Sequence, residues 1–333
     1  MKKLLALALA ATMALSLAAC GGAKEEPAAP SEPATEAPAA ETYKVGICQL
    51  APHPALDAAT QGFIDALNEA LPGQVEFDNQ NAAGESATCA TIVNGFVSAD
   101  VDLIMANATP ALQAAVAATS DIPVLGTSVT EYGVALGIDN FSGTVGTNVS
   151  GTSDLAPLDE QAAMVKEWFP DAKTVGLLYC SAEANSQYQV DTVQAELEKL
   201  GLTCTQYPFS DTNDMASVTQ SAVDNSDVLY VPTDNTCANN TGIIDNIARP
   251  AGVPVICGEE GICGGCGVAT LSISYYDLGV ATGKMAAKIL TGEADVAQMA
   301  IGYAENVTPK YNPVICEELG LTPPDGYVAI EMN

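Results

Sequence analysis

The sequence predicts an α/β protein built as two similar lobes, each a parallel sheet covered by helices. Two observations carry this. From Tyr43 onward, short β-branched runs alternate with longer Ala/Leu/Gln stretches at helical spacing, the pattern of repeated βα units. That pattern then occurs twice: Lys44-Val45-Gly46-Ile47 is answered by Thr174-Val175-Gly176-Leu177. Likewise VDLIMANATPAL with DIPVLGTS is answered by SDVLYVPTDNTC with GVPVICGE.

The elements follow in order. KVGICQL reads as a strand over 44–50, and the Ala-rich stretch behind it as a helix over 55–71. VEFDNQN (75–81), a helix from about 84 to 98, VDLIMAN (101–107), a helix over 110–119 and PVLGTSV (123–129) complete the first half. The second half opens with TVGLLYC (174–180) and a helix over 186–200. TCTQYPF (203–209), a helix near 212–224, DVLYVPT (227–233), a helix near 238–248 and PVICGEE (254–260) continue it, and LSIS (271–274) is a further strand before a helix that starts at Tyr275.

Ahead of these units stands an address. Residues 1–19 carry two lysines and then an unbroken run of small and apolar residues from Leu4 to Ala19, the layout of a signal peptide. At ~1.5 Å per residue that run is shorter than the ~30 Å hydrocarbon core of a bilayer. Leu17-Ala18-Ala19-Cys20 resembles a bacterial lipobox, which makes Cys20 the lipid-modified first residue of the mature chain. Several acyl chains on one cysteine hold a protein at a membrane surface. The stretch 20–42, rich in Ala, Pro and Glu, has too little apolar bulk to offset backbone ordering, so it reads as a disordered tether.

Composition excludes several classes. The chain has 333 residues with 41 Asp and Glu against 11 Lys and Arg, a net charge of −30, which argues against nucleic-acid binding. Only 5 of the acids and 3 of the bases precede Tyr43, so the negative charge belongs to the globular part. A solvated acidic surface of this kind favours solubility. One His (His53), one Trp (Trp168) and one Arg (Arg249) leave few catalytic devices. No GxSxG elbow, HExxH helix or GxxxxGK[ST] loop occurs, so the chain reads as neither hydrolase, metalloprotease nor ATPase.

In open parallel sheets, ligands bind beyond the carboxyl ends of the strands. Here those segments are small and polar: His53-Pro54, Ala108-Thr109-Pro110, Thr127-Ser128, Ser181 to Ser186, Thr233-Asp234-Asn235 and Glu259-Glu260. Two lobes whose strand ends face one another enclose a cleft lined by them.

Seven segments in order carry a family resemblance: HPALD (53–57), NATPALQAA (107–115), NVSGTSDL (148–155), LLYCSAEANS (177–186), VPTDNT (231–236), GEEG (258–261) and GVATLSISYYDLG (267–279). Together they resemble the substrate-binding lipoproteins of an ABC-importer family whose better-understood members take up aromatic amino acids, tryptophan especially. The resemblance covers nearly all of 43–333. It implies a periplasmic-binding-protein fold of type I, with two Rossmann-like lobes joined by a three-segment hinge that closes over the ligand. It also implies interleaved lobes: 43–152 plus about 275–305 for the first, 153–274 plus about 306–333 for the second. The run Gly261 to Cys266 departs from the family pattern in its richness in Cys and Gly.

A free amino acid brings a carboxylate, an ammonium and a side chain, so its binder needs donors, an acidic acceptor and a shaped pocket. With a single arginine placed before Pro250, where it reads as a cap on helix carbonyls, the carboxylate must meet hydroxyls and backbone N–H groups. Thr109, Thr127 and Ser128, near the helix starts that follow Asn107 and Val129, are the candidates, with ordinary N-capping the competing role. For the ammonium, Asp234 leads and Glu259 or Glu260 follow. The competing role of Asp234 is to cap the helix beginning near Thr236. His53, Asp57, Asn107, Asn185, Ser186, Thr233 and Asn235 complete the candidate ligand set, with Tyr275 either walling the pocket or serving the hinge. Trp168 reads as packing.

Besides Cys20 there are nine cysteines, an odd count that cannot all pair within one chain. Disulfides, buried free thiols, and a zinc or redox site at Cys263-x-x-Cys266 with Cys257 and Cys237 nearby all fit the spacing. The expectation is an extracytoplasmic, lipid-anchored solute receptor without catalytic residues, cofactor or resident metal. It hands an aromatic amino acid, or another small solute such as a branched-chain amino acid, nucleoside or sugar, to a permease with a separate ATPase. A sensor, or a metal-handling lipoprotein using the Cys263/Cys266 loop, is the alternative.

Overall fold

In the computed structural model, residues 42–304 and 306–331 are described. The expected signal peptide, Cys20 and all of the tether but its last residue lie outside them. The first half contains β1 (Tyr43–Gln49), α1 (Pro54–Ala70), β2 (Val75–Asn81), α2 (Ser86–Ser98), β3 (Leu103–Asn107), α3 (Thr109–Ala118), β4 (Val124–Val129), α4 (Tyr132–Leu136) and β5 (Val149–Ser153). Next come α5 (Leu158–Trp168), β6 (Thr174–Cys180), α6 (Ala184–Lys199), β7 (Thr203–Phe209), α7 (Thr212–Asn225) and β8 (Val228–Val231). α8 (Asn235–Asn239), α9 (Thr241–Ala251), β9 (Val255–Cys257), α10 (Glu260–Cys266) and β10 (Ala269–Ile273) follow. α11 (Tyr275–Leu290), β11 (Gly302–Tyr303), β12 (Val307–Tyr311), α12 (Pro313–Glu318) and β13 (Val328–Ala329) complete the chain.

Two sheets result. The first has the order β11-β5-β4-β3-β1-β2 and is parallel throughout; the second has the order β13-β12-β10-β9-β8-β6-β7. The second departs from an all-parallel sheet at one place, where β12 runs antiparallel to β10 with Val307 opposite Ile273. The chain passes between the sheets three times: after β5, between β10 and β11, and between β11 and β12. The central strands are buried on both faces, as Leu103–Asn107 shows, because helices cover each sheet on two sides.

Local chemistry sets the boundaries. The strand expected over 254–260 stops at Cys257, since Glu259 accepts from the N–H groups of Gly261 and Ile262 and thereby starts α10. The helix expected near 238–248 is two helices, because Asp234 caps a short α8 and the chain restarts at Thr241. α7 opens on a full capping box between Asp211 and Asp214.

The helix pair α1 and α11 fixes the mouth of the cleft. α1 has Pro54 in its first turn and buries Ala55, Leu56, Ala59, Phe63, Ala66 and Leu67 at helical spacing. At Gly279 of α11, a β-carbon would stand 1.9 Å from the Ala59 carbonyl oxygen, so only glycine permits this approach. The expected packing role of Trp168 is what the structure shows: it is buried and meets Tyr327 edge-to-face with ring centroids 5.2 Å apart. Arg249 departs from its expected role. It pairs with the carboxylates of Asp245 and Glu318 rather than capping carbonyls.

Candidate ligand-binding cleft

Loops after β1, β4, β6, β8 and β9 converge with the two crossovers at Asp154 and Tyr275. They enclose a small cavity of about 10 Å³, lined by elements of both lobes. The strand order places it where the doubly wound topology predicts, beyond the carboxyl ends of the strands.

The first lobe contributes His53, Leu56, Ser128 and Thr130. His53 precedes α1 in extended backbone, and its Nε2 lies 3.5 Å from Oδ1 of Asn235 in the other lobe. Burial lowers the pKa of the ring, which keeps it neutral near pH 7. Ser128 sits at a register break between β4 and β5 with φ of +53°, in the left-handed region. A bulge of this kind re-aims a side chain. It leaves the Ser128 hydroxyl buried in the cavity without a hydrogen-bond partner in the protein.

The second lobe contributes Asn185, Thr233, Asp234, Asn235, Ala238 and Glu259. Both oxygens of Asp234 are engaged: Oδ1 accepts from Cys237 N–H and Oδ2 from Cys180 N–H, each at 2.8 Å. Glu183 clamps the start of α8, accepting from the N–H of Asn235 and of Thr236 and from both side chains. Glu259 accepts from Gly261 and Ile262 at 2.6 Å. Burial pushes the carboxyls of Asp234 and Glu259 up to about 7, with Glu183 adding to the first and Glu260 and Asp154 to the second.

Between the lobes, Tyr275 Oη donates to Asp154 Oδ2 at 3.0 Å. Asp154 opens the first crossover, and its other oxygen, Oδ1, is buried without a partner, as is Oδ1 of Asn185. Burial raises the Asp154 carboxyl, with the Tyr275 and Thr130 hydrogen bonds working the other way. Three unpartnered buried atoms, Ser128 Oγ, Asp154 Oδ1 and Asn185 Oδ1, thus face one cavity. Each buried polar atom left unpaired costs about 1–3 kcal/mol, which a polar ligand removes.

Eight of the fourteen candidate ligand residues line the cavity: His53, Ser128, Asn185, Thr233, Asp234, Asn235, Glu259 and Tyr275. The other six stand behind or beside it. Asn107 donates to Leu56 O and Thr60 Oγ1, holding the first turns of α1. Exposed Asp57 accepts from Gln49 at 2.6 Å. Thr127 faces Thr152, which in turn meets Thr282 on α11. Thr109 is the buried first residue of α3. Ser186 is fully buried, and its hydroxyl accepts from Asn185 Nδ2 at 3.3 Å. Glu260 turns outward to Lys310, 2.6 Å away, and to Ser272.

Leu56, Thr130, Asp154 and Ala238 line the cavity although sequence reasoning had not named them. Asp154 had a signal: it is the acid in NVSGTSDL (148–155), one of the segments that carry the family resemblance, and it directly follows β5. Among the described residues, no group of three or more His, Cys, Asp or Glu is arranged to hold a metal ion, so the Cys263/Cys266 loop gives no support to metal handling.

Two lobes that bury unpaired polar atoms around a shared cavity define a two-lobed small-ligand receptor. Comparison with known proteins places the chain among them: residues 44–330 match the model of the ABC transporter substrate binding protein family, and the chain belongs to that family. It is 34% identical over 296 residues to a tyrosine-binding protein of Clostridioides difficile, covering 88% of this chain and 85% of the relative. A Streptococcus pneumoniae ABC domain in complex with L-Trp superposes with a TM-score of 0.82 at 32% identity, over 87% of this chain and 100% of that one. The ligand-free, open structure of a substrate binding protein with adhesive properties from Clostridium difficile gives 0.68 at 37% identity, over 88% and 100%. The fold is thus that of type I periplasmic binding proteins.

Proposed function

We propose that this chain is the extracytoplasmic, lipid-anchored receptor of an ABC importer, that it closes over an aromatic amino acid such as tryptophan or tyrosine, and that it delivers it to the permease. The carrying observation is the trio of unpartnered buried atoms in one cavity. Ser128 Oγ donates to the ligand carboxylate, while Asp154 Oδ1 and Asn185 Oδ1 accept from the ammonium. Leu56, Ala238, His53 and Tyr275 offer the apolar and ring surfaces that an aromatic side chain needs. The relatives that bind tyrosine and L-Trp support the same class.

In this reading the lobes, 43–152 with about 275–305 and 153–274 with about 306–333, move as bodies about the three crossovers. Cys20 carries the anchor, and replacing it by serine should move the protein from the membrane fraction to the supernatant. Isothermal titration of the globular part against the twenty amino acids, a nucleoside panel and a sugar panel tests the solute class. Binding of tryptophan, tyrosine or phenylalanine is the expected result. Binding of another solute alone would keep the receptor and reassign its cargo.

A further inference from the structure

The second lobe holds a group of thiols that the solute site does not use. Cys237, Cys257, Cys263, Cys266 and Cys316 are all free and at most 3% exposed, and four of them share one apolar core with Ile262 and Val255. Gly267 locates two of them closely. A β-carbon built there would lie 2.2 Å from Cys257 Sγ and 3.0 Å from the Cys263 α-carbon, so the Cys257 sulfur stands within about 5 Å of the Cys263 backbone. The Cys263 and Cys266 thiols both act on the titration of the Cys257 thiol, so both stand near it, while its own hydrogen-bond acceptor is the Val255 carbonyl at 4.0 Å. Disulfides span α-carbons about 4.4–6.8 Å apart, and a sulfur this close to the partner's α-carbon is compatible with such a span.

We propose that Cys257 and Cys263 form a redox dithiol whose disulfide staples β9 to α10. Only five residues separate the pair, and Glu259 of the cavity wall is among them. Access comes from α10 itself. Its seven residues EGICGGC include three glycines, each about 1 kcal/mol worse than alanine in a helix, so this segment opens at lower cost than its neighbours. While it is closed, burial holds the Cys257 thiol protonated and unreactive.

On opening, one cysteine thiolate attacks a small-molecule disulfide and expels one thiolate, leaving a mixed disulfide. The second cysteine thiolate then displaces the other half. Two protein thiols are oxidised to one disulfide, the small disulfide is reduced to two thiols, and the two protons pass to those products. Thiol pairing is independent of what the cleft binds, so its test stands apart from the solute reading.

The test incubates the full-length protein with oxidised glutathione, blocks remaining thiols with N-ethylmaleimide under denaturing conditions, and maps peptides by mass spectrometry. The expected result is a linked peptide joining Cys257 to Cys263, with a rise in Tm that dithiothreitol reverses and that Cys257→Ala lacks. Maleimide on both Cys257 and Cys263 after oxidation overturns the proposal. So does a link from Cys263 to Cys266 or Cys316 with Cys257 labelled. Cys48 and Cys89, which also touch across β1 and α2, map to separate peptides and do not confuse the result. Because mapping of the unaltered chain decides the pairing, a variant that fails to fold leaves the test intact.

Discussion

Tyr275 donates its phenolic hydrogen to Asp154 at 3.0 Å, and each residue stands on a different crossover between the lobes. The contact links two of the three hinge segments through a carboxylate whose second oxygen faces the cavity. A cation bound there meets the hinge and the pocket wall at once.

Asp154→Asn should therefore weaken binding of the proposed aromatic amino acid by ~2–5 kcal/mol, the cost of leaving one member of a buried charge pair alone. Unfolding of the ligand-free protein should be unaffected or slightly harder, because burial already raises that carboxyl. Asp234→Asn makes the contrast: with both oxygens on backbone N–H groups, its loss should lower Tm along with affinity. Calorimetric titration beside thermal unfolding of both variants separates the roles, and unchanged affinity in Asp154→Asn would remove Asp154 from the site.

Ser128→Ala removes the hydroxyl aimed into the cavity while keeping the backbone. A hydrogen bond to a charged group is worth ~1.5–3 kcal/mol, so Kd should rise by roughly ten- to a hundredfold. Stability should hold, since that hydroxyl has no partner in the protein to lose. A titration that returned the unaltered Kd would assign the ligand carboxylate elsewhere.

The acidity of the cavity makes stability depend on pH. Asp234 and Glu259 stand near 7 when folded, above their ordinary values of 3.8 and 4.5. Between these limits the folded protein holds protons that the unfolded chain has released, so this stability is fully present at low pH and is lost as pH rises through 7. His53 acts oppositely: its lowered pKa supports the fold above 6.5 and ceases to as pH falls through the folded value. The two carboxylates outweigh one imidazole, and ligand-free Tm should be higher near pH 5.5 than near pH 8. Glu259→Gln should reduce that slope; a Tm rising steadily toward pH 8 in the unaltered protein would contradict the assignment.

Gly279→Ala tests the α1–α11 seam. A methyl group placed 1.9 Å from the Ala59 carbonyl oxygen forces the helices apart, and overpacking of this kind costs about 1–3 kcal/mol or more. Urea unfolding should show a lower midpoint, whereas an unchanged midpoint would mean that the seam tolerates separation.

Much of the architecture was legible because it rests on local periodicity. The buried run Leu103–Asn107, the apolar stripe of α1 and the internal repeat all follow from residue spacing, which a chain reveals without folding. The start of α8 was legible as one of two roles for Asp234, a cap near Thr236, whereas α10 was not legible, because it begins where Glu259 turns back onto backbone N–H groups. Their competing roles as ligand contacts and as caps look identical in a sequence.

By itself, then, the sequence determined two α/β lobes, the strand ends that carry the site, and eight residues of the cavity wall. Tertiary structure alone decided that Ser128 turns into the cavity while Thr127 meets Thr152, since a register break between β4 and β5 sets the direction. It alone brought Asp154 against Tyr275, 121 positions apart, and left one carboxylate oxygen unpaired. Residue type fixes what a side chain can do, but only the packing of distant segments determines which hydrogen bonds are already taken and which remain for a ligand.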